Sequence, residues 1–498
     1  MSEKGIQALL GEVDERDARA EEGGGRARQE RQKRLGRMTA RERIDALADA
    51  GSFVELGKHV LHRMEGTSDL LDANLHPGDG LVCGLARVGG RNVAVYAHDP
   101  TVLRGALGHQ ASLKLCRLLD FAGTRLLPVI ALADCDGVRV EEGTLAIDAY
   151  GEVIRRTVLL KGKLPQITLV CGLCVGAAAY TAALTDLTAM VAGQSYLFIT
   201  GPKVTKVVTG EEVTLDDLGG PQLHARKTGA AHAVVESEKA GIEWIKSVLA
   251  ALEPQRAAAD PVERSTPELD KIVPTEARKA YDMRKVVSAI FDQGSVIELS
   301  AAFAPNLLTS LARLGGRAVA VVASQPTALA GCIDVDASRK GAAFVTWASA
   351  MRLPVITLVD VPGYLPGRRQ EEGGILPHGA TLLTAYASAK VPLICLVVRK
   401  SYGGASVLSY GADIKLALPT ARVAPMGADA LVEVVLGPEN PEAPSDERAR
   451  KREQWLEAND SAWAAAESGY VDRVIKPAEA RRELARALEA VATERRNA

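Results

Sequence analysis

Aromatic residues are scarce in this chain, 4% of 498 residues, although 47% are hydrophobic. Small aliphatic side chains must therefore fill the interior. No charge of one sign is in excess: 60 Lys and Arg stand against 62 Asp and Glu, a net −2. That argues against a nucleic-acid binder, which would carry a basic face. The one basic run, RARQERQKRLGRMTARER, is interleaved with Glu and lacks aromatics, so it reads as a solvated helix face. No apolar run reaches the ~18–20 residues that a membrane helix needs. The N-terminus carries charges where a secretory signal would have an apolar core. The seven cysteines are scattered in apolar surroundings, as expected of reduced thiols in a cytoplasmic protein. Cys171 and Cys174 form one CxxC, but zinc would need two more ligands and no second CxxC exists, so no metal is expected. Neither a GxSxG elbow nor a GxxxxGK[ST] phosphate loop is present.

What the chain has is the same stretch twice. LARVGGRNVAVYAHDPTVL at 85–103 returns as LARLGGRAVAVVASQPTAL at 311–329. Arg91 and Arg317 stand 226 apart (317 − 91), and the offset still holds for Lys114 and Lys340, Pro128 and Pro354, and Asp134 and Asp360. A register kept that far without a gap means two copies of one fold in tandem, each far larger than a solenoid repeat. Duplication of this kind suggests two related half-sites for two parts of one reaction. The length also suits two or three domains rather than one.

The layout follows from the repeat. Residues 1–50 are charged and helix-prone, with a flexible joint expected at Gly23–Gly25. The first copy occupies 51–251, a linker with four prolines 252–281, and the second copy 282–498. The apolar runs are short: NVAVYAH, LLPVIALAD and PQITLVCG in the first copy, AVAVVAS, LPVITLVDVPG and VPLICLVVRK in the second. Each is about strand length and apolar throughout, as in a sheet covered on both faces. Helical stretches alternate with them, which predicts an α/β layered fold. The segment 437–455 reads as a solvated loop entering a helix, and AEARRELARALEAVATERR as a final amphipathic helix.

Two Gly/Ala-rich turns follow buried strands at matching places: ITLVCGLCVGAAAY at 167–180 and ICLVVRKSYGGASV at 394–407. A strand that ends in small residues and opens a helix leaves backbone N–H groups unpaired. Those groups, with the helix dipole, can hold a developing oxyanion, and small side chains let a ligand approach. One such turn alone reads better as tight helix–strand packing. Two at equivalent positions of a duplicated fold reverse that preference.

Seven ordered motifs then reach a known pattern: MTARERIDALADAGSFVEL, GDGLVCGLARVGGR, LFITGPKVTKVVTGEEVTLDDLGG, QPTALAGCIDVDAS, LVDVPGYLPGRRQEEGGI, HGATLL and RKSYGGA. From Met38 to Leu488 the chain resembles the carboxyltransferase (β) subunits of biotin-dependent acyl-CoA carboxylases, of the propionyl-CoA carboxylase β type. The resemblance implies two tandem crotonase-type (ClpP/crotonase-like) α/β domains. It implies a coenzyme A thioester on the first half, carboxybiotin on the second, and a homo-oligomer, a hexamer, in which sites form between subunits. Loss of CO₂ leaves one oxyanion on biotin, and loss of an α-proton leaves another on the thioester. Two separated oxyanions need two donor pairs: Gly176 and Ala177 for the thioester, Gly404 and Ala405 for biotin. The family usually has a second glycine at Ala177. No side chain is an obvious general base, which fits the family's use of the biotin ureido nitrogen for proton removal. No biotin-acceptor motif of the AMKM kind is present, so biotin must arrive on a biotin carboxylase or biotin carboxyl carrier subunit.

The same resemblance assigns supporting residues. Lys114 meets a CoA phosphate or is a helix lysine in solvent. Arg139 contacts CoA or pairs with Glu141 or Glu142. Thr200, Gly201 and Lys203 lie on a turn near the acyl site. Tyr402, Gly403 and Asp334 lie near biotin, although Asp334 and Asp336 read equally as helix caps. His378 reads as a packed or capping histidine. Three features depart from the family: DCDG stands for DSGG and adds Asp136, Ser406 and Val407 replace a tyrosine and an acidic residue, and the stretch before GAD is shorter. They leave open which acyl-CoA is used. The sequence does not separate this activity from a decarboxylase running the reverse half-reaction, and Ala177, Asp136 and the shortened loop keep open a non-catalytic scaffolding paralogue.

Overall fold

A computed structural model describes residues 5–62, 76–258, 260–276, 278–427, 434 and 445–491. Contacts divide the chain into two compact units, one up to Ala250 and the other from Ala251. Each is an eight-stranded sheet with helices packed on it, and the two sheets have the same order.

In the first unit Val54–Glu55 (β1), Leu81–Val88 (β2) and Arg91–His98 (β3) pair antiparallel. Val129–Cys135 (β4), Gln166–Val175 (β5), Leu187–Val191 (β6), Tyr196–Phe198 (β7) and Ala233–Val235 (β8) continue in parallel, with β7 pairing the far end of β5. The order is β1-β2-β3-β4-β5-β6-β8. In the second unit Ile297–Leu299 (β9), Leu307–Leu314 (β10) and Arg317–Ser324 (β11) are the antiparallel set. Val355–Val361 (β12), Leu393–Tyr402 (β13), Ile414–Ala417 (β14), Arg422–Ala424 (β15) and Arg473–Val474 (β16) are the parallel set, with β15 pairing the end of β13. Arg91 opens β3 opposite Val88, and Arg317 opens β11 opposite Leu314. The constant offset of the sequence is thus a constant place in the sheet.

The repeat extends to its turns. Gly89–Gly90 and Gly315–Gly316 both have two positive φ values, the conformation a two-residue hairpin demands and glycine supplies. The Asp49 carboxylate accepts both N–H groups of the first turn, at 2.9 and 2.8 Å. Asp292 accepts both of the second, at the same distances. The central strands β4 and β12 are buried along their whole length, as a sheet covered on both faces requires. Helix His109–Arg125 packs on Gly143–Leu160 over one sheet, and Val335–Ala350 on Ile375–Ala387 over the other.

Two expectations about connections change. Gly24 is no flexible joint: its N–H donates to Thr101 Oγ1 at 2.9 Å, and a Cβ there would lie 1.9 Å from the Thr101 carbonyl oxygen. The glycine is required because two stretches of backbone touch. The segment 252–281 does not merely drape over a surface. Thr266 and Leu269 are fully buried, Thr266 Oγ1 donates to Pro477 O at 2.7 Å, and Tyr281 is 8% exposed. It belongs to the second unit, because its backbone satisfies polar groups buried there: Arg399 Nη1 donates to Glu276 O and Lys279 O at 3.0 and 2.8 Å. Of the segment 437–455, expected as a loop entering a helix, residues 445–455 already belong to the helix Ser445–Asp460, and the final helix is Ala480–Val491. Residues 437–444 and 492–498 lie outside the described residues.

Candidate functional site

At the carboxyl end of β5 the chain turns through Gly176 at φ 57°, ψ −120° and opens the helix Ala177–Leu184. At the carboxyl end of β13 it turns through Gly403 at φ 58° and opens the short helix Gly403–Ser409. Ligands of open α/β sheets bind at this end of the strands. The equivalent left-handed residues are thus Gly176 and Gly403, so Gly404 occupies the place of Ala177. Gly176, expected as a donor to the thioester, instead shapes the turn, because its own N–H is already given to Phe198 O at 3.1 Å. The first bond of the following helix is Tyr180 N–H to Gly176 O at 3.2 Å, so helix geometry leaves the N–H groups of Ala177 and its two successors without a main-chain acceptor. In the second turn Gly404 and Ala405 both follow the left-handed glycine, and Ala405 is fully buried.

Both strand ends are fixed by one device. The register slips between Ala133 and Cys135 on β4, and between Val359 and Val361 on β12. The residue in each slip is an aspartate. Asp134 Oδ1 accepts Leu173 N–H at 3.2 Å, and Asp360 Oδ1 accepts Lys400 N–H at 3.1 Å. Each buried carboxylate then meets a buried arginine on its other oxygen: Arg43 Nη2 on Asp134 at 3.0 Å, Arg399 Nε on Asp360 at 3.0 Å. Arg43 also bonds Glu238 at 2.8 Å. The repeat marked both aspartates by position, but nothing local in the sequence pointed to Arg43 or Arg399.

The first turn is flanked by two loops. A Cβ on Gly137 would lie 2.8 Å from Val175 O, so the DCDG loop touches the end of β5. The nearest atom to a Cβ on Gly176 is Ile199 O, at 3.8 Å, so the turn carrying Thr200, Gly201 and Lys203 runs beside it. Gly201 caps the exposed helix Pro202–Thr209, and Thr200 and Lys203 are exposed. Lys114 and Arg139 are seated otherwise than a phosphate contact requires. Lys114 is 6% exposed and its ammonium donates to Leu81 O and Gly78 O at 2.5 and 3.3 Å. Arg139 is fully buried, on Asp79 at 2.6 Å and Glu142 at 2.7 Å. In this arrangement both brace the frame beneath the loops. Cys135 and Cys174 face each other across β4 and β5, fully buried, and burial pushes the Cys135 thiol up to about 12. Both therefore stay neutral thiols. Among the described residues no group of three His, Cys, Asp or Glu is placed to hold a metal.

Around the second turn, Asp334 caps the helix Val335–Ala350, its Oδ1 accepting Ala337 N–H at 2.8 Å. Asp336 pairs with Arg339 at 3.0 Å on the exposed face of that helix. Tyr402 is buried and donates to Asp460 Oδ2 at 3.3 Å. Burial raises the Asp460 carboxyl to about 6, against the pull of Arg422. The ring of Tyr364 lies 3.6 Å from where a Cβ on Gly404 would stand, and its buried hydroxyl has no partner. Ser406 Oγ donates to Gly403 O at 2.8 Å and Val407 is fully buried, so the residues that depart from the family pattern close this turn from beneath.

The carboxyl transferase domain family matches residues 31–498. The propionyl-CoA carboxylase beta chain of Saccharopolyspora erythraea is 42% identical over 485 residues, 92% of this chain and 88% of that one. The mitochondrial propionyl-CoA carboxylase beta chain of Homo sapiens is 41% identical, over 95% of this chain and 89% of that one. A transcarboxylase 12S hexamer crystallised with methylmalonyl-coenzyme A superposes with a TM-score of 0.94 at 38% identity, covering 100% of this chain and 98% of that one. A single-chain, multi-domain long-chain acyl-CoA carboxylase superposes with a TM-score of 0.85 at 29% identity, over 96% of this chain and 49% of that one.

Proposed function

The chain belongs to the carboxyl transferase domain family, and from that premise we propose that its first turn holds an acyl-CoA thioester and its second a biotin ureido oxygen brought by a carrier chain. Its activity is carboxyl transfer to an acyl-CoA, as the subunit of an acyl-CoA carboxylase, and its fold is two tandem crotonase-type domains. The observation that carries the two-site reading is the pair of turns, Gly176 at φ 57° and Gly403 at φ 58°, at the same end of the same sheet in each unit. Each presents small residues and helix N–H groups, the arrangement that stabilises an oxyanion.

When bound, carboxybiotin supplies the activated carboxyl group. The chain's own residues bind, orient and stabilise. Ala177 N–H donates to the thioester oxygen as charge develops there. Gly404 and Ala405 N–H would donate to the ureido oxygen. Tyr364, beside Gly404, supplies a ring for the bicyclic ligand and a hydroxyl that a polar ligand atom can satisfy. Asp134 and Asp360 keep the two strand ends from shifting as charge develops. No base is offered at the first turn by the described residues: the neighbouring thiols are neutral, and Asp136 is held by Arg104 at 2.5 Å. A bound biotin ureido group would supply the base that these residues do not. The transcarboxylase relative is a hexamer, and a hexamer is our reading for this chain too.

The test is carboxyl transfer by the purified chain together with a biotinylated carrier and its biotin carboxylase, across a panel of acyl-CoAs. Transfer that needs the carrier and saturates with one acyl length is expected. Carrier-free transfer in avidin-treated buffer, or none with any thioester, would refute the reading.

A further inference from the structure

Arg104 and Asp136 stand at the first turn without a part in the chemistry above. Arg104 sits at φ 56°, ψ 26°, in the left-handed region that a side chain disfavours. Its Nε donates to Asp136 Oδ2 at 2.5 Å, and Asp136 N–H donates to Arg104 O at 3.2 Å. The constant register places Ala330 and Pro362 at these positions of the second unit. Ala330 repeats the left-handed backbone, at φ 53°, but neither residue carries a charge. The same strained turn therefore serves both units, and only the first has been armed with an ion pair.

That pair does little for stability. The Arg104 side chain is 65% exposed and the Asp136 side chain 26%, and exposed ion pairs contribute little. The strained backbone is common to both units, so what sets the first apart is the charged pair itself, placed beside the turn. The loop is tied to the first turn. A Cβ on Gly105 would lie 2.3 Å from Asp134 O. Leu107 N–H donates to Gly137 O at 2.9 Å, and Gly137 rests against the Val175 carbonyl, one residue before Gly176. Asp136 takes the Nε edge of the guanidinium. Both terminal Nη groups remain on an exposed side chain, with Glu141 the other charge that acts on it.

We propose that Arg104, clamped by Asp136, is an anion-reading residue of the first half-site, whose terminal guanidinium nitrogens receive an anionic oxygen of the thioester substrate. That oxygen belongs to a CoA phosphate or to a carboxylate on the acyl group. The inference rests on the assignment of the first turn to the acyl-CoA. It makes this half-site selective through charge, where its counterpart is neutral.

The experiment uses the assembled enzyme with its carrier and three probes: propionyl-CoA, propionyl-pantetheine and methylmalonyl-CoA. Arg104→Gly suits the left-handed backbone, so it should melt no lower than the parent. Loss of a charge-assisted hydrogen bond should raise KM roughly ten- to a hundred-fold, with kcat within about threefold. An effect on both CoA thioesters that vanishes on propionyl-pantetheine identifies a phosphate. An effect on methylmalonyl-CoA alone identifies the carboxylate. Arg104→Lys should restore part of the affinity, which a purely structural role would not, and Asp136→Asn should give a smaller loss than Arg104→Gly. Unchanged KM for all three probes in a folded Arg104→Gly enzyme would overturn this inference alone. Failure of the parent enzyme to bind any of the three would overturn the half-site assignment with it.

Discussion

A valine at Gly404 should stop carboxyl transfer while leaving the thioester in place. The geometry makes this a clean perturbation. Gly404 lies outside the left-handed region, and a Cβ there would meet the Tyr364 ring at 3.6 and 3.7 Å, ordinary contact distances. The fold therefore has little reason to resist, and the branched side chain instead fills the space that a ligand needs to reach the N–H groups of Gly404 and Ala405. Such donors act at about 2.7–3.1 Å, and losing one costs roughly 10²–10³ in rate, about 2.7–4 kcal/mol. Gly404→Ala should lose less, because one methyl narrows the approach without closing it. The matching change in the first unit is Ala177→Val. Gly176→Val would not serve, because at φ 57° any L side chain adds about 1–2 kcal/mol of backbone strain and confounds folding with chemistry. Acyl-CoA affinity by calorimetry, beside carrier-dependent transfer, separates the two sites. Gly404→Val should keep the affinity within about threefold and lose the transfer, whereas Ala177→Val should weaken the affinity first. Equal loss of acyl-CoA affinity in both folded variants would show that the two turns do not divide the substrates.

Asp360→Ala leaves Arg399, 3% exposed, without its counter-charge, and should lower stability by about 3–5 kcal/mol in urea melts, with a loss of carrier-dependent rate. Lys340→Met removes the ammonium that caps Ser300 O and Phe303 O at 2.8 Å each, and should cost on the order of 3 kcal/mol by the same measurement. Asp460 has its carboxyl raised to about 6 in the fold from 3.8, so the neutral form is the one the fold favours. Its contribution to stability is fully present below about pH 4 and is lost as pH rises through about 6. Asp460→Asn should therefore flatten the stability profile between pH 4 and 8 by on the order of 3 kcal/mol, and an unchanged profile would show that another group titrates there.

The amino-acid sequence by itself determined the doubling, the α/β layering and the placing of both turns. The reason is that each rests on pattern along the chain: a constant offset of 226 kept from Leu85 to Asp134, apolar runs of strand length, and glycines where backbone must bend or touch. The family was legible too, because its motifs are ordered along one chain. Tertiary structure decided what holds those turns. Arg43 reaches Asp134 across 91 positions and Arg399 reaches Asp360 across 39, and no periodicity reports such pairings. The same holds for Lys114 and Arg139: the first read as a CoA ligand or a solvated helix lysine, the second as a CoA contact or a partner of Glu141 or Glu142, and folding seats Lys114 on buried carbonyls and Arg139 on Asp79 and Glu142. It also decided which glycine bends the second turn. From RKSYGGA alone Gly403 and Gly404 are interchangeable, and only the pairing of β13 with β15 puts the left-handed backbone at the first of them. Arg104 is the extreme case, since nothing in TVLRGAL announces a left-handed residue. A side chain there is costly unless neighbouring loops hold it, and those neighbours exist only once β4 and β5 lie side by side.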